Sequence, residues 1–256
     1  MQVRPDSCYN SSGMRKWLQK EKMEPKMPFT EVGWMQRIRK IACGLFLCVL
    51  ILALSGCAKK KEKVIYTVGQ EVQMGSYEGS SIEWIVLDVR DNGDALLITK
   101  YVLEMKPYHD EKTNADWEHC TLRTWLNGSF FDSAFTKEEK KTILSSKIEN
   151  PDNLEFSISG GNATEDRIFL LSFDEANQYF QKSKDRRCLP TDLAVEHGVM
   201  TSLKGSSKGC APWWLRSPGR DPHSAACVRD FGYVLSSGYN VYYEGYGVRP
   251  AMWVEA

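Results

Sequence analysis

The chain has 256 residues, and its 33 Lys and Arg equal its 33 Asp and Glu, so the formal net charge at pH 7 is zero. Balanced charge leaves no global field to favour nucleic acid or strongly acidic partners, and no nucleic-acid role is expected. Eight cysteines suggest a disulfide framework, an inference that their locations revise.

Met1 to Trp34 is polar and lacks clean periodicity, and it is expected to be a start-site artefact or a disordered extension. Met35 opens a different segment. Arg37, Arg39 and Lys40 precede an apolar run from Ile41 to Leu54, which ends in Leu54-Ser55-Gly56-Cys57. A basic start, an apolar stretch and small residues before a cleavage point are the parts of an export signal, here 35–56. The run spans about 21 Å of helix at about 1.5 Å per residue, short of the roughly 30 Å hydrocarbon core that a membrane anchor must cross. The string ending in Cys57 resembles the lipobox of bacterial lipoproteins. That resemblance implies lipidation of Cys57, a membrane partner held through the lipid, and a location on the extracytoplasmic face of the cell membrane. Lys59-Lys60-Lys61-Glu62-Lys63 then reads as a basic tether over 57–68, set against anionic headgroups.

Cleavage before Cys57 leaves the length of one ordinary domain. With Cys57 consumed by lipid and Cys8, Cys43 and Cys48 before the cleavage point, Cys120, Cys188, Cys210 and Cys227 remain. They have no C-x-x-C spacing, which argues against a zinc knuckle or a redox pair. One disulfide and none are equally open.

Ile82 to Val89 and Ala95 to Thr99 are apolar runs around Asn92-Gly93, the pattern of a β-hairpin. Thr121 to Leu126 has helical spacing and is expected to stop at Asn127-Gly128, with the glycine as a left-handed cap. Thr136 with Glu139, and Ser172 with Glu175, match the capping box and should each open a short helix. Arg167 to Leu171 reads as a buried strand, and Thr191 to His197 as a third short helix. From Cys210 onward the expected strands are Trp213–Ser217, Ala225–Arg229, Tyr233–Leu235, Asn240–Tyr243 and Val248–Val254, separated at Pro218-Gly219, Asp230-Phe231-Gly232, Gly238 and Gly245. This order without regular alternation predicts an α+β fold, a single compact domain with an antiparallel sheet and short helices.

Five of the 11 tyrosines, Tyr233, Tyr239, Tyr242, Tyr243 and Tyr246, crowd one segment with Ser236, Ser237, Gly238, Asn240, Gly245 and Gly247. Tyrosine with small polar residues is the vocabulary of antibody paratopes, because it offers broad amphipathic contact for few rotatable bonds. The segment reads as a recognition surface for a glycan, peptide or surface protein. Arg220, Asp221 and His223 could rim it. A plain sheet is the alternative, since tyrosine also favours strands. Valines 228, 234, 241 and 248 turned inward with the tyrosines outward would satisfy both readings.

Several strings occur in a recognisable order: Cys120 to Phe130, Ala134 to Glu139, Phe169 to Ser172, Trp213-Trp214-Leu215-Arg216-Ser217-Pro218-Gly219, and Gly247-Val248-Arg249-Pro250-Ala251-Met252-Trp253. Together they resemble the bacterial family called domain of unknown function 6273, over roughly 69–254. The C-terminal block is similar, more loosely, to the C-type-lectin-like fold of formylglycine-generating enzymes and of proteins diversified by retroelements. The resemblance implies a framework role for Trp213, Trp214, Arg216 and Arg249, with each arginine buried against a carboxylate or backbone carbonyls. The closely spaced cysteine pair that holds copper in those enzymes is not reproduced by Cys210 and Cys227. The calcium triplets of C-type lectins do not occur either.

No catalytic motif stands out. His109, His119, His197 and His223 occur singly, without H-E-x-x-H, and there is no G-x-S-x-G. Asp110, Glu111 and Asp116 could join His109 or His119 around calcium or zinc, but a solvated acidic loop is the simpler reading. No cofactor and no metal are expected. A lipid-anchored binding module is the reading adopted. The alternatives are an enzyme of unrecognised chemistry and a structural envelope component.

Overall fold

Two hairpins begin the fold in the computed structural model, which describes residues 63–256. Cys57, the export segment and Met1 to Trp34 lie outside the described residues. β1 (Glu71–Tyr77) turns into β2 (Ser80–Val89) through Glu78 and Gly79, both at positive φ, the backbone that tight hairpin turns require. β2 returns as β3 (Ala95–Thr99), with Val89 opposite Ala95 and Gly93 at φ 96°, as the Asn-Gly signal predicts. After β4 (Glu104–Met105) comes the helical region.

α1 (Thr121–Trp125) is capped by Cys120, whose Sγ accepts from the Arg123 N–H. The helix does not stop at a left-handed Gly128. A π turn over Leu126–Phe130 carries Gly128 at φ −109°, ψ −109°, and leads into α2 (Phe131–Ala134). Two forces oppose a stop. The turn buries Phe130 and Phe131, and Asn127 is committed to a neighbouring segment. Asn127 Nδ2 donates to the Ile168 carbonyl at 2.8 Å, and its Oδ1 accepts from the N–H groups of Arg167 and Ile168 at 2.8 and 3.1 Å. α3 (Lys137–Thr142) opens on the expected capping box at Thr136 and Glu139.

β5 (Ser146–Ile148) pairs with β6 (Thr164–Asp166) in a small separate sheet. Ile168 to Leu171 is buried but is not the strand expected. Only Phe169 bridges, to Ala251, because its neighbours' carbonyls serve Asn127 and Arg216. α4 (Phe173–Tyr179) carries the second capping box, at Ser172 and Glu175. α5 (Ser183–Arg186) and α6 (Asp192–Glu196) follow, the latter capped by Thr191.

The C-terminal strands are β7 (Trp213–Pro218), β8 (Ser224–Val228), β9 (Val234–Asn240), β10 (Gly247–Val248) and β11 (Ala251–Val254). β10 and β11 correct the single strand expected there. β10 joins the sheet ordered β4-β10-β7-β8-β9, and β11 closes the sheet ordered β1-β2-β3-β11. Pro250 stands between them. It has no N–H to donate to a ladder, while its carbonyl accepts from Thr99 at 2.9 Å. The two large sheets are therefore joined through Arg249-Pro250. β10 also pairs in parallel with β7, so the second sheet is mixed rather than wholly antiparallel.

Two further expectations are corrected beside it. Gly238 lies inside β9 and is not a turn. Its φ is +66°, and an added Cβ would lie 2.1 Å from the Ala225 carbonyl oxygen, where the β8–β9 register shifts. Asn240 to Tyr243 is the end of β9 and a turn, closed by Tyr243 N–H to the Asn240 carbonyl at 3.0 Å.

The whole is α+β. Its core holds Trp84, Trp117, Trp213 and Trp214, all fully buried. Their indole N–H groups donate to Met74 O, Asp166 Oδ2, Arg186 O and Lys106 O at 2.8–3.1 Å, which removes the cost of burying an unpaired donor. Cys120, Cys188, Cys210 and Cys227 are buried and free. Among the described residues no helix is long and apolar enough to cross a membrane.

Candidate ligand-binding cleft

At the far end of β9 the chain places three tyrosines in mutual contact. Tyr239 lies 4.5 Å from Tyr243 and 5.3 Å from Tyr246 between ring centroids, and Tyr243 lies 5.5 Å from Tyr246. Val241, in the turn between them, is fully buried, as are Val228 and Val248, with Val234 nearly so. This inward anchoring leaves Tyr239 exposed and Tyr243 half-buried. Tyr246 is not outward as expected. It is buried, 4.8 Å from Trp214, with its phenol pKa raised by burial. It forms the floor on which the other two stand.

Met200 closes one side. Its Sδ lies 3.0 Å from the Tyr243 hydroxyl, and its N–H donates to the Gly245 carbonyl at 2.8 Å. Gly245, at φ +141°, allows this approach, since a Cβ there would meet both Met200 and Tyr243 at 3.1 Å. Arg229 and Asp230 close the other side. With Thr201 and Pro212 these residues enclose a cleft of about 190 Å³.

The remaining residues read as recognition residues are dispersed. Tyr233 is exposed at the β8–β9 tip, stacked on Phe231 with centroids 6.3 Å apart. Ser236 bonds Glu155, and Asn240 donates to the Tyr242 hydroxyl at 3.4 Å. Tyr242 is half-buried, with Lys112 5.3 Å from its ring centroid. Arg220 and Asp221 pair with each other at 3.4 Å, and His223 donates its N–H to Asp221. Arg220, Asp221 and His223 do not line the tyrosine cleft. Met200, Thr201, Arg229 and Asp230 do, yet sequence reasoning did not single them out. Arg229-Asp230 looked like the edge of a turn, and Met200 comes from a distant loop with no local signal.

The arginines read as framework residues lie in the core with the tryptophans. Arg216 donates to the Leu170 and Glu149 carbonyls at 2.8 and 3.1 Å and holds Glu175 through both carboxylate oxygens. Arg249 donates Nε–H to the Thr99 carbonyl at 2.9 Å, with the rings of Phe180 and Trp213 each 5.1 Å away.

A family model described as Domain of unknown function (DUF6273) matches residues 92–256. The chain belongs to this family. No curated protein and no solved structure matches it. The DUF6273 match starts inside the β2–β3 turn, so β1 and β2, half of the first sheet, lie outside it.

The DUF6273 domain also holds a second hollow, about 320 Å³, lined by Asp116, His119, Ser157, Ser159 and Pro222 among others. Asp116, Glu118 and His119 bring possible ligand atoms within 4.8 Å of one another, while Asp110, Glu111 and His109 stay outside the group. His109 contacts Thr113 instead. His119 Nδ1 lies 2.7 Å from Asp116 Oδ1, and this hydrogen bond raises the imidazole pKa. An NMR titration is expected to place the His119 midpoint above its ordinary value of about 6.5, and Asp116→Asn should return it there. The stability contributed is present at low pH and fades as pH rises through the raised midpoint. It is small, because the histidine is largely in solvent. Cys227, under Tyr246, is pushed up to about 12 by burial and remains a thiol of the core.

Proposed function

We propose that this DUF6273 protein is a lipid-anchored extracytoplasmic recognition module, which engages a glycan, peptide or surface protein through the tyrosine cleft. The observation that carries the reading is the cluster of Tyr239 and Tyr243, reachable from solvent and seated on buried Tyr246 beside Met200. Rigid, pre-positioned tyrosines lose little conformational freedom on contact, and this favours their use at recognition surfaces. The string Leu54-Ser55-Gly56-Cys57 supports the anchor, and Lys59 to Lys63 supports a short basic tether at a membrane surface. The C-type-lectin-like architecture belongs to the same proposal and rests on the Trp213 to Gly219 and Gly247 to Trp253 strings.

The test combines two substitution sets in the full chain. Tyr239, Tyr242 and Tyr243 replaced together by alanine should weaken binding on glycan and surface-protein arrays by more than tenfold, with the melting temperature changed by a few degrees at most. Cys57→Ser should move the protein from the membrane fraction to the soluble one. Unfolding of the tyrosine variant would make those rings part of the core and overturn the recognition reading; membrane retention of the Cys57 variant would overturn the lipid anchor. A second reading, an enzyme of unassigned chemistry, draws on the Asp116–His119 pair facing its own hollow. It predicts that His119→Ala changes turnover of a substrate and leaves array binding intact.

A further inference from the structure

Arg229 and Asp230 are the unexplained residues of the cleft. Arg229 leaves β8 half-buried, its guanidinium 5.9 Å from the Phe231 ring centroid. Its side chain makes no hydrogen bond or ion pair with any described residue, although its Nε is shut off from solvent. A shielded, unpaired donor carries a desolvation cost, which the contact with the Phe231 ring offsets in part but which no hydrogen-bond acceptor of the described residues relieves. Asp230, its neighbour on the same wall, likewise has no hydrogen-bond or ion-pair partner among the described residues. The two carry opposite charges yet do not pair with each other.

We infer that the cleft binds one saccharide ring carrying vicinal hydroxyls, with its C–H face on Tyr239 and Tyr243 and its hydroxyls joined to Arg229 and Asp230. This rests on the recognition reading above and names its ligand. Three features select that chemistry. A hydroxyl both donates and accepts, so an adjacent pair of them uses the donor fork of an arginine and the acceptor-only carboxylate together. An anionic ligand would suit Arg229 and be repelled by Asp230, and a cationic ligand the reverse. Tyrosine adds an apolar face with a polar tip, matching a ring that has C–H groups on its face and hydroxyls at its edge. The volume, about 190 Å³, is below the roughly 300–1,000 Å³ of drug-sized sites and suits a single ring at the end of a chain.

The full chain is assayed on immobilised mono- and oligosaccharides, on the same array after periodate cleavage of vicinal diols, and on a peptide array. Binding to a subset of sugars is expected, with at least a tenfold loss after periodate. Arg229→Ala and Asp230→Ala should each weaken sugar binding at least tenfold while changing the melting temperature by a few degrees at most, because neither side chain makes a hydrogen bond or ion pair with a described residue. Binding that survives periodate, or that ignores both substitutions, overturns the saccharide assignment. Tyrosine-dependent binding confined to the peptide array overturns it too, while leaving the recognition reading intact. Silence on every array overturns both. The periodate arm needs no variant, so a misfolded substitution cannot rescue the idea.

Discussion

Glu175→Ala is expected to destabilise the folded domain by about 3–5 kcal/mol, the loss found when one partner of a buried ion pair is removed. Arg216 is 4% exposed and is the buried member of the pair; Glu175, 28% exposed, is its only carboxylate partner among the described residues. The backbone carbonyls of Leu170 and Glu149 orient the guanidinium but do not neutralise it. The same glutamate accepts from the Ser172 N–H at 2.8 Å in the capping box of α4, so alanine also removes that half of the box, while the Ser172 hydroxyl still accepts from the backbone N–H of residue 175. For a domain of this size the melting temperature should fall by roughly 10 °C or more. Adding Arg216→Met removes the stranded charge, and the double variant should recover much of the loss. A fall of under about 1 kcal/mol for Glu175→Ala, or a double variant weaker than the single, would contradict the account.

Features set by neighbouring residues were legible in the sequence. Asn92-Gly93 places its hairpin because the turn conformation is local, and Thr136 with Glu139 opens α3 because both partners of the capping box lie within one turn. The misreadings involve partners distant in the chain. Gly128 does not cap α1, because Asn127 is bonded to Arg167 and Ile168 some forty residues on. Val248 to Val254 is divided between sheets because its two halves meet β4 and β7 on one side and β3 on the other. The site follows the same rule. Tyr239, Tyr242, Tyr243 and Tyr246 were visible as a composition, but which one faces inward depends on Trp214, and the opposing walls come from Met200 and Arg229.

Asp166→Ala is expected to be about as severe, again about 3–5 kcal/mol. The Asp166 side chain is fully buried at the end of β6. It accepts from Trp117 Nε1 at 2.8 Å, Thr164 Oγ1 at 2.7 Å and Arg123 Nε at 2.6 Å. Alanine would leave a buried indole donor, a buried hydroxyl and a guanidinium without their acceptor, each loss carrying its own desolvation cost. Asp166→Asn keeps the shape and one carbonyl acceptor, so it should lose less. The urea midpoint should fall with the slope unchanged for both variants, more for alanine; equal losses would mean that the carboxylate charge, and not the shape, is what the site requires. The consequences extend toward the cleft. Trp117 packs on Tyr108 at 6.2 Å, Tyr108 on Trp214 at 5.9 Å, and Trp214 on Tyr246 at 4.8 Å. The carboxylate that fixes the first of these rings therefore supports, through packing alone, the floor on which Tyr239 and Tyr243 stand. Its loss should lower the fraction of molecules folded well enough to bind, while the affinity of those that remain folded is unchanged.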